Sequence, residues 1–407
     1  MNHYLKALPE FLAKNYTFIV VAIMEVVIVA ALYGLPIFLT VFIRKIFIFL
    51  TAMKTKTTLF CLYILTCVEI YGQSPAMQQA FDKAQAAGFS GVVLVEKEGK
   101  TVFHQATGMR RFESQESMKK TDIFELASVS KQFTAMVIMM LKEKGKLNYD
   151  DPLSRYVPVP YTDITIRHLL SHTSGLPDYQ EIMDNHWDKT KVAGNPDIIE
   201  YLNRYAPPTL FKAGEKYDYS NTGYILLASI AEKASGEDFI TLCRNWIFKP
   251  LKMKNTDIRT LEAKAKVKNF AVGHLLDSTK QYVNANRFHA SDYTVWLGNR
   301  EGPGRVSSTT QDLLKWDKAL YTQNLVSAAT LNEAFSPTQL NNGTLVPYGF
   351  GWEVFTDSKN GKIVQHTGDN PGYRTIIIRF LDQRKTVIVL NNNAHDAMNA
   401  LIEALKQ

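Results

Sequence analysis

The sequence predicts an α+β fold: one antiparallel sheet built from both chain ends, flanked by helices, with a mainly helical insertion between them. Three observations carry this. Apolar runs with tight-turn dipeptides lie at both ends of the region after residue 73, the stretch between them has helical spacing broken by Pro and Gly, and strands and helices do not alternate.

Taken in order, residues 17–43 (TFIVVAIMEVVIVAALYGLPIFLTVFI) are long enough to span a bilayer, with Glu25 a costly residue near the middle and Arg44 and Lys45 closing the run. A second pattern follows. Met53-Lys-Thr-Lys is a basic start, LFCLYILTCVEIYG is apolar, and a small polar exit succeeds it, the form of a secretory signal peptide. Residues 1–72 are therefore read as a membrane segment, a signal peptide, or both, and each reading exports residues 73–407 to the periplasm or cell envelope, with the membrane met through the N-terminal segment.

Pro75 to Gly88 has the spacing of an amphipathic helix, and FSGVVLVEKEGKTVFHQATG reads as two strands about a Glu-Gly turn. The far end mirrors it: YGFGWEVF, an Asn360-Gly361 turn, KIVQHTG, TIIIRF, an Asp-Gln turn, TVIVLNNN and a last helix through Leu405. No repeat or internal linker divides the region.

Composition narrows the function. The chain has 407 residues, 46% hydrophobic and 21% charged, an ordinary globular balance with length for a sizeable core. Of its net charge of +7, six basic and three acidic side chains place +3 in residues 1–72 and leave +4 beyond. That remainder is too small to argue for a nucleic-acid partner, and no phosphate-cradling Gly-rich loop occurs. Cys61 and Cys67 fall in the leader, so Cys243 is the lone thiol of the main domain, at apolar helical spacing where a buried, inert cysteine is expected.

A serine hydroxyl becomes nucleophilic when a neighbour removes its proton, and a lysine one helical turn along does this if its charge is suppressed. Ser128-Val-Ser-Lys131 opens KQFTAMVIMMLKEKGKL, whose apolar positions Phe133, Val137, Met140 and Leu141 are expected to bury one side. The match Ser117-Met-Lys-Lys120 lies in a polar stretch that would keep its lysine solvated. Taken alone, Ser128 is also readable as a helix cap.

Tyr219-Ser-Asn221 precedes the apolar helix GYILLASIAEKAS, where a phenol can relay protons and an amide can hold a carbonyl. Singly, it reads equally as a structural Tyr and an N-cap Asn. Tyr201-Leu-Asn203 and Tyr282-Val-Asn284 share the pattern, the first inside a helical stretch and the second in an expected polar loop. His366-Thr367-Gly368 lies on a strand, where His366 offers a proton near neutral pH and glycine allows close approach; a partly exposed strand histidine is the plain alternative. His168 and His172 are four apart but lack a third ligand, so no metal is expected.

The three motifs in this order resemble the serine β-lactamase and penicillin-binding family, in the branch holding class C β-lactamases, D-Ala-D-Ala carboxypeptidases, D-aminopeptidases and related esterases. The likeness runs from about Gly91 to the C-terminus and includes FELASVSKQFTA, ITIRHLLSHTSGLPDY, FKAGEKYDYSNTGYILLASIAEKASG, VSSTTQDLLKW and YGFGW. It implies the β-lactamase/transpeptidase-like fold and no cofactor. It further implies that Ser128 is acylated, Lys131 and Tyr219 manage its proton, Asn221 orients the substrate and His366, Thr367 and Gly368 form the substrate-facing strand. The backbone amides of Ser128 and Asp369 would form the oxyanion hole.

Two departures bear on substrate. Class C β-lactamases carry Lys-Thr-Gly where this chain has His-Thr-Gly, so a substrate carboxylate needs another partner, with Arg374 a candidate. Arg305 in GPGRVSST replaces a small or apolar residue and is expected to narrow or charge the site. The resemblance favours an ester, amide or D-amino-acid peptide as substrate over efficient antibiotic hydrolysis. A slowly acylated receptor for cell-wall fragments and a purely structural envelope protein are the readings from other classes.

Overall fold

The computed structural model describes residues 74–407, and the segments read above as a leader, with Cys61 and Cys67, lie outside the described residues. In chain order the principal elements are α1 (Pro75–Ala86), β1 (Gly91–Lys97), β2 (Lys100–Thr107), α2 (Lys131–Glu143), α3 (Asn221–Ser235), α4 (Thr310–Ala319), β3 (Glu353–Asp357), β4 (Gly361–Asn370), β5 (Tyr373–Phe380), β6 (Lys385–Asn391) and α5 (Ala397–Lys406). Among the described residues no helix is long and apolar enough to cross a membrane.

The six strands form one antiparallel sheet in the order β3-β4-β5-β6-β1-β2, so the two chain ends meet where β6 pairs with β1. Val93 lies opposite Val389 and Leu94 opposite Ile388 in that pairing. Because side chains alternate across a strand, Val93, Val95, Val387 and Val389 face α1 and α5, while Val92, Leu94, Ile388 and Leu390 face the helical insertion. A sheet covered on both faces needs continuous apolar strands, which is why VVLV and VIVL do not alternate with polar residues.

Helix α2 is the centre of the insertion. Ten of its residues, from Lys131 to Leu141, are buried all round, against the expected single apolar side; Met140 is only half-buried. A helix apolar on every side is a core helix. Helix α4 packs on the sheet and ties to α2 through Trp316 Nε1, which donates to Gln132 Oε1 at 3.0 Å.

The insertion is less purely helical than its sequence suggests. Phe124–Glu125, Val306–Ser308 and Asp257–Ile258 build a small three-stranded sheet, with Ser307 opposite both Glu125 and Asp257. Tyr282–Asn284, expected as a loop, pairs with His274–Leu276. Strands of two or three residues are too short to display a period, so the sequence carries no signal for them.

Candidate active site

Ser128 lies in a tight 3₁₀ turn, Ala127–Ser130, that runs into α2. The turn is held from both sides: Thr375 Oγ1 on β5 donates to the Leu126 carbonyl at 2.7 Å, and Ser130 Oγ accepts from the Val306 amide at 3.1 Å. Ser130 is thereby committed to structure, and Ser128 alone of the two serines is partly accessible. Ala127 is held at φ 47°, a left-handed conformation costing a non-glycine residue about 1 kcal/mol or more, beside the proposed nucleophile. The cap position of α2 is occupied by Ser130, so the cap alternative does not describe Ser128.

Lys131 is fully buried; its Nζ lies 3.1 Å from Ser128 Oγ and donates to Asn221 Oδ1 at 2.8 Å and to the Pro303 carbonyl at 3.0 Å. Burial, and then the Arg300 guanidinium, hold its ammonium well below the usual lysine range. None of its three hydrogen-bond partners is a carboxylate. An amine whose charge is disfavoured by burial, one turn from a serine, has the character of the base such a serine needs.

Asn221 is the first residue of α3. The cap is Ser220, whose Oγ accepts from the Gly223 amide at 3.2 Å, which frees the Asn221 amide group from capping and corrects the N-cap alternative. Tyr219 precedes it. Although 40% of Tyr219 is accessible, its ring lies 4.7 Å from Lys131 Nζ and its phenol interacts with Ser128. Burial of the hydroxyl end raises the phenol above the ordinary tyrosine range, with the Ser128 hydrogen bond opposing, so it remains a proton donor.

His366 differs from expectation. It is 1% exposed, its Nδ1 lies 2.6 Å from the Thr367 carbonyl and its Nε2 lies 2.8 Å from Tyr348 Oη. This pattern assigns the proton to Nδ1, leaving Nε2 to accept from the tyrosine. Burial first, and Lys131 second, push its pKa down to about 3, so the ring is neutral and does not titrate near pH 7. It therefore supplies neither the charge of a lysine nor a neutral-pH proton.

Two residues not singled out for the site complete this cluster. The His172 ring is 4.2 Å from the Tyr219 ring and 4.6 Å from that of Tyr348, and its Nδ1 accepts from the Ser220 amide at 3.0 Å. That amide bond fixes the chain immediately before Asn221. His168 instead serves its own helix: the Thr165 amide donates to its Nδ1 at 3.1 Å. Among the described residues no group of side chains could hold a metal ion. Cys243 is buried, and burial pushes its thiol well above the normal range.

On β4 the side chains alternate. Gly368 faces the serine turn so closely that a Cβ there would lie 2.2 Å from the Leu126 carbonyl oxygen and 2.3 Å from Thr375 Oγ1. Thr367 and Asp369 line a groove against α5, and Asp369 also reaches the pocket of about 80 Å³ that holds Ser128 and Asn221. Arg374 lies on that groove and is paired with Asp396 at 2.8 Å and Asp369 at 3.5 Å. Arg305 is buried at φ 75°, with its guanidinium directed to the Arg259 and Arg300 carbonyls, lining a neighbouring cavity and not the Ser128 pocket.

Lys120 of the rival serine–lysine pair is exposed, Tyr201 and Asn203 lie within the helix Asn195–Tyr205, and Tyr282 and Asn284 lie in their short strand. None of these five residues lines the Ser128 pocket.

Comparisons with known proteins agree with this geometry. A family model described as Beta-lactamase matches residues 77–406. Penicillin-binding protein 4* of Bacillus subtilis (strain 168) is 41% identical over 312 residues, covering 76% of this chain and 69% of that protein. A D-aminopeptidase of Brucella canis is 26% identical over 330 residues, 78% of this chain and 59% of its own length. Among solved structures, an octameric penicillin-binding protein homologue from Pyrococcus abyssi superposes with a TM-score of 0.70 at 24% identity, over 81% of this chain and 76% of that one. A D-amino acid amidase from Ochrobactrum anthropi SV3 superposes with a TM-score of 0.67 at 22% identity, over 81% and 97%.

Proposed function

The chain belongs to the Beta-lactamase family of serine hydrolases, and on that premise we propose that it works through an acyl-enzyme on Ser128, cleaving an ester, an amide or a D-amino-acid peptide. The observation that carries the proposal is the buried Lys131 amine 3.1 Å from Ser128 Oγ, with no carboxylate among its hydrogen-bond partners.

The residues divide the work. Lys131, neutral, takes the Ser128 proton as Oγ attacks the substrate carbonyl. The tetrahedral oxyanion is received by the Ser128 and Asp369 amides, each such donor lowering the barrier by about 3 kcal/mol. Tyr219 passes a proton to the departing oxygen or nitrogen and recovers one from the Lys131 ammonium. Asn221, held by Lys131, orients the acyl group. Water then cleaves the Ser128 ester.

A buried, neutral His366 argues against efficient β-lactam hydrolysis, because the fixed positive charge of a Lys-Thr-Gly strand is missing. Ester or peptide cleavage is the preferred reading. Purified protein assayed with p-nitrophenyl acetate, D-alanyl peptides and nitrocefin tests it. The expected result is turnover of an ester or peptide well above nitrocefin, reduced by about a thousandfold or more in Ser128→Ala. Unchanged turnover in both Ser128→Ala and Lys131→Ala would sink the reading, and a long-lived penicillin adduct without turnover would replace it with a receptor.

The apolar segments before residue 73 add a proposal of location: the hydrolase works outside the cytoplasm, in the periplasm or cell envelope. Fractionation of the expressing cell, with the protein found in the envelope or exported fraction, is the expected outcome; recovery in the cytosol contradicts it.

A further inference from the structure

Arg300 is 9% exposed and contributes to the wall of the Ser128 pocket. It also lines an adjoining cavity of about 210 Å³, and Glu125 and Asn370 are common to both walls. A buried guanidinium has five donors to place. Here one nitrogen donates to the Leu297 carbonyl at 3.1 Å, a hydrogen-bonding interaction reaches the Tyr179 phenol, and the cation lies 5.5 Å from the Tyr293 ring. No carboxylate lies within ion-pair distance of it among the described residues.

The charges around Arg300 are otherwise committed. Glu125, the carboxylate common to both walls, is ion-paired with Lys264, accepts from Asn370 Nδ2 at 2.7 Å and acts on Arg300 only from beyond ion-pair distance. Asp369 is exposed and drawn 3.5 Å from Arg374 on the other side. Arg305 spends its donors on main-chain carbonyls. A cation taken out of water without a directly paired anion is costly, and its retention beside Ser128 leaves a place for one. The planar guanidinium fork matches a carboxylate in two parallel hydrogen bonds.

We propose that Arg300 and the cavity behind it form a specificity site for a carboxylate carried on the acyl portion of the substrate. The acyl side follows from position: Tyr219, which serves the leaving group, does not line this pocket, whereas Ser128 and Asn221 do. The assignment rests on the acyl-enzyme reading of Ser128.

The test compares the mono-p-nitrophenyl ester of glutaric acid with p-nitrophenyl valerate, a neutral ester of similar length. Wild-type protein is expected to favour the glutarate ester in kcat/KM by about tenfold or more, as for a charged hydrogen-bonded pair. Arg300→Gln is expected to bring that ratio close to one, and Arg300→Lys to restore part of it. Free glutarate is expected to inhibit wild-type valerate-ester hydrolysis competitively where valeramide does not, a readout that needs no variant to fold. Equal ratios in wild type and Arg300→Gln, or equal inhibition by glutarate and valeramide, would overturn the carboxylate site while Ser128-dependent turnover stands. Absence of Ser128-dependent turnover of either ester would overturn the hydrolase reading itself and the acyl-side assignment with it.

Discussion

At the scale of single residues, Lys131 combines two properties that oppose each other. A lysine buried without a carboxylate is a good base and a poor contributor to stability. Its folded pKa lies below the unfolded value of about 10.4, so between the two the unfolded chain binds more protons and the group's contribution to stability rises with pH. Lys131→Met is therefore expected to be more stable than wild type at pH 7, with the difference shrinking toward pH 10, as read from urea unfolding at each pH. A constant difference across that range would contradict a neutral Lys131. Activity should rise through a pKa below the ordinary lysine range and persist beyond the ordinary tyrosine range, because Tyr219 is shifted upward. The convergence of Ser128, Lys131, Tyr219 and Asn221 was legible because spacing and helix context constrain them together. The state of His366 was not: its neutrality comes from burial and from Lys131, far away in the sequence, and no local pattern encodes either. Arg300 was invisible for the same reason, since a buried cation lacking an ion pair is recognised only by what surrounds it.

At the scale of elements, the position of β4 against the serine turn sets the width of the site. Gly368 is required there by contact and not by backbone angle, with the Leu126 carbonyl oxygen 2.2 Å from where a Cβ would stand. Gly368→Ala must move either β4 or the turn. It is expected to cost about 1–3 kcal/mol, the usual penalty of overpacking, and to lower kcat/KM by about tenfold or more as Ser128 shifts from Lys131. Unaltered melting and kinetics would show that the strand is not seated as described. The long strands and the terminal helices were legible from apolar runs and turn dipeptides such as Asn360-Gly361. The two- and three-residue strands around Ser307 were not, because their pairing is fixed by partners more than 40 residues away.

At the scale of the whole molecule, the two chain ends share one sheet and α4 is fastened to it by a buried ion pair. Arg379 Nε donates to Asp317 Oδ1 at 2.6 Å, Thr386 Oγ1 donates to the same oxygen at 2.8 Å, and Asp317 and Arg379 are almost wholly excluded from solvent. Removing one partner strands a buried charge. Asp317→Ala is expected to lose about 3–5 kcal/mol in urea unfolding, and Asp317→Leu combined with Arg379→Met much less. Equal losses would show that the pair acts through packing and not charge. That the sheet is assembled from both ends was legible from the mirrored strand clusters; this tether was not, since neither charge differs from a surface residue in sequence. The fold converges on the Ser128–Lys131 pair, and intact-mass analysis after exposure to a fluorophosphonate tests that pair most directly. A single adduct is expected on wild type, none on Ser128→Ala and strongly slowed labelling of Lys131→Ala; a full adduct on Ser128→Ala would place the nucleophile elsewhere.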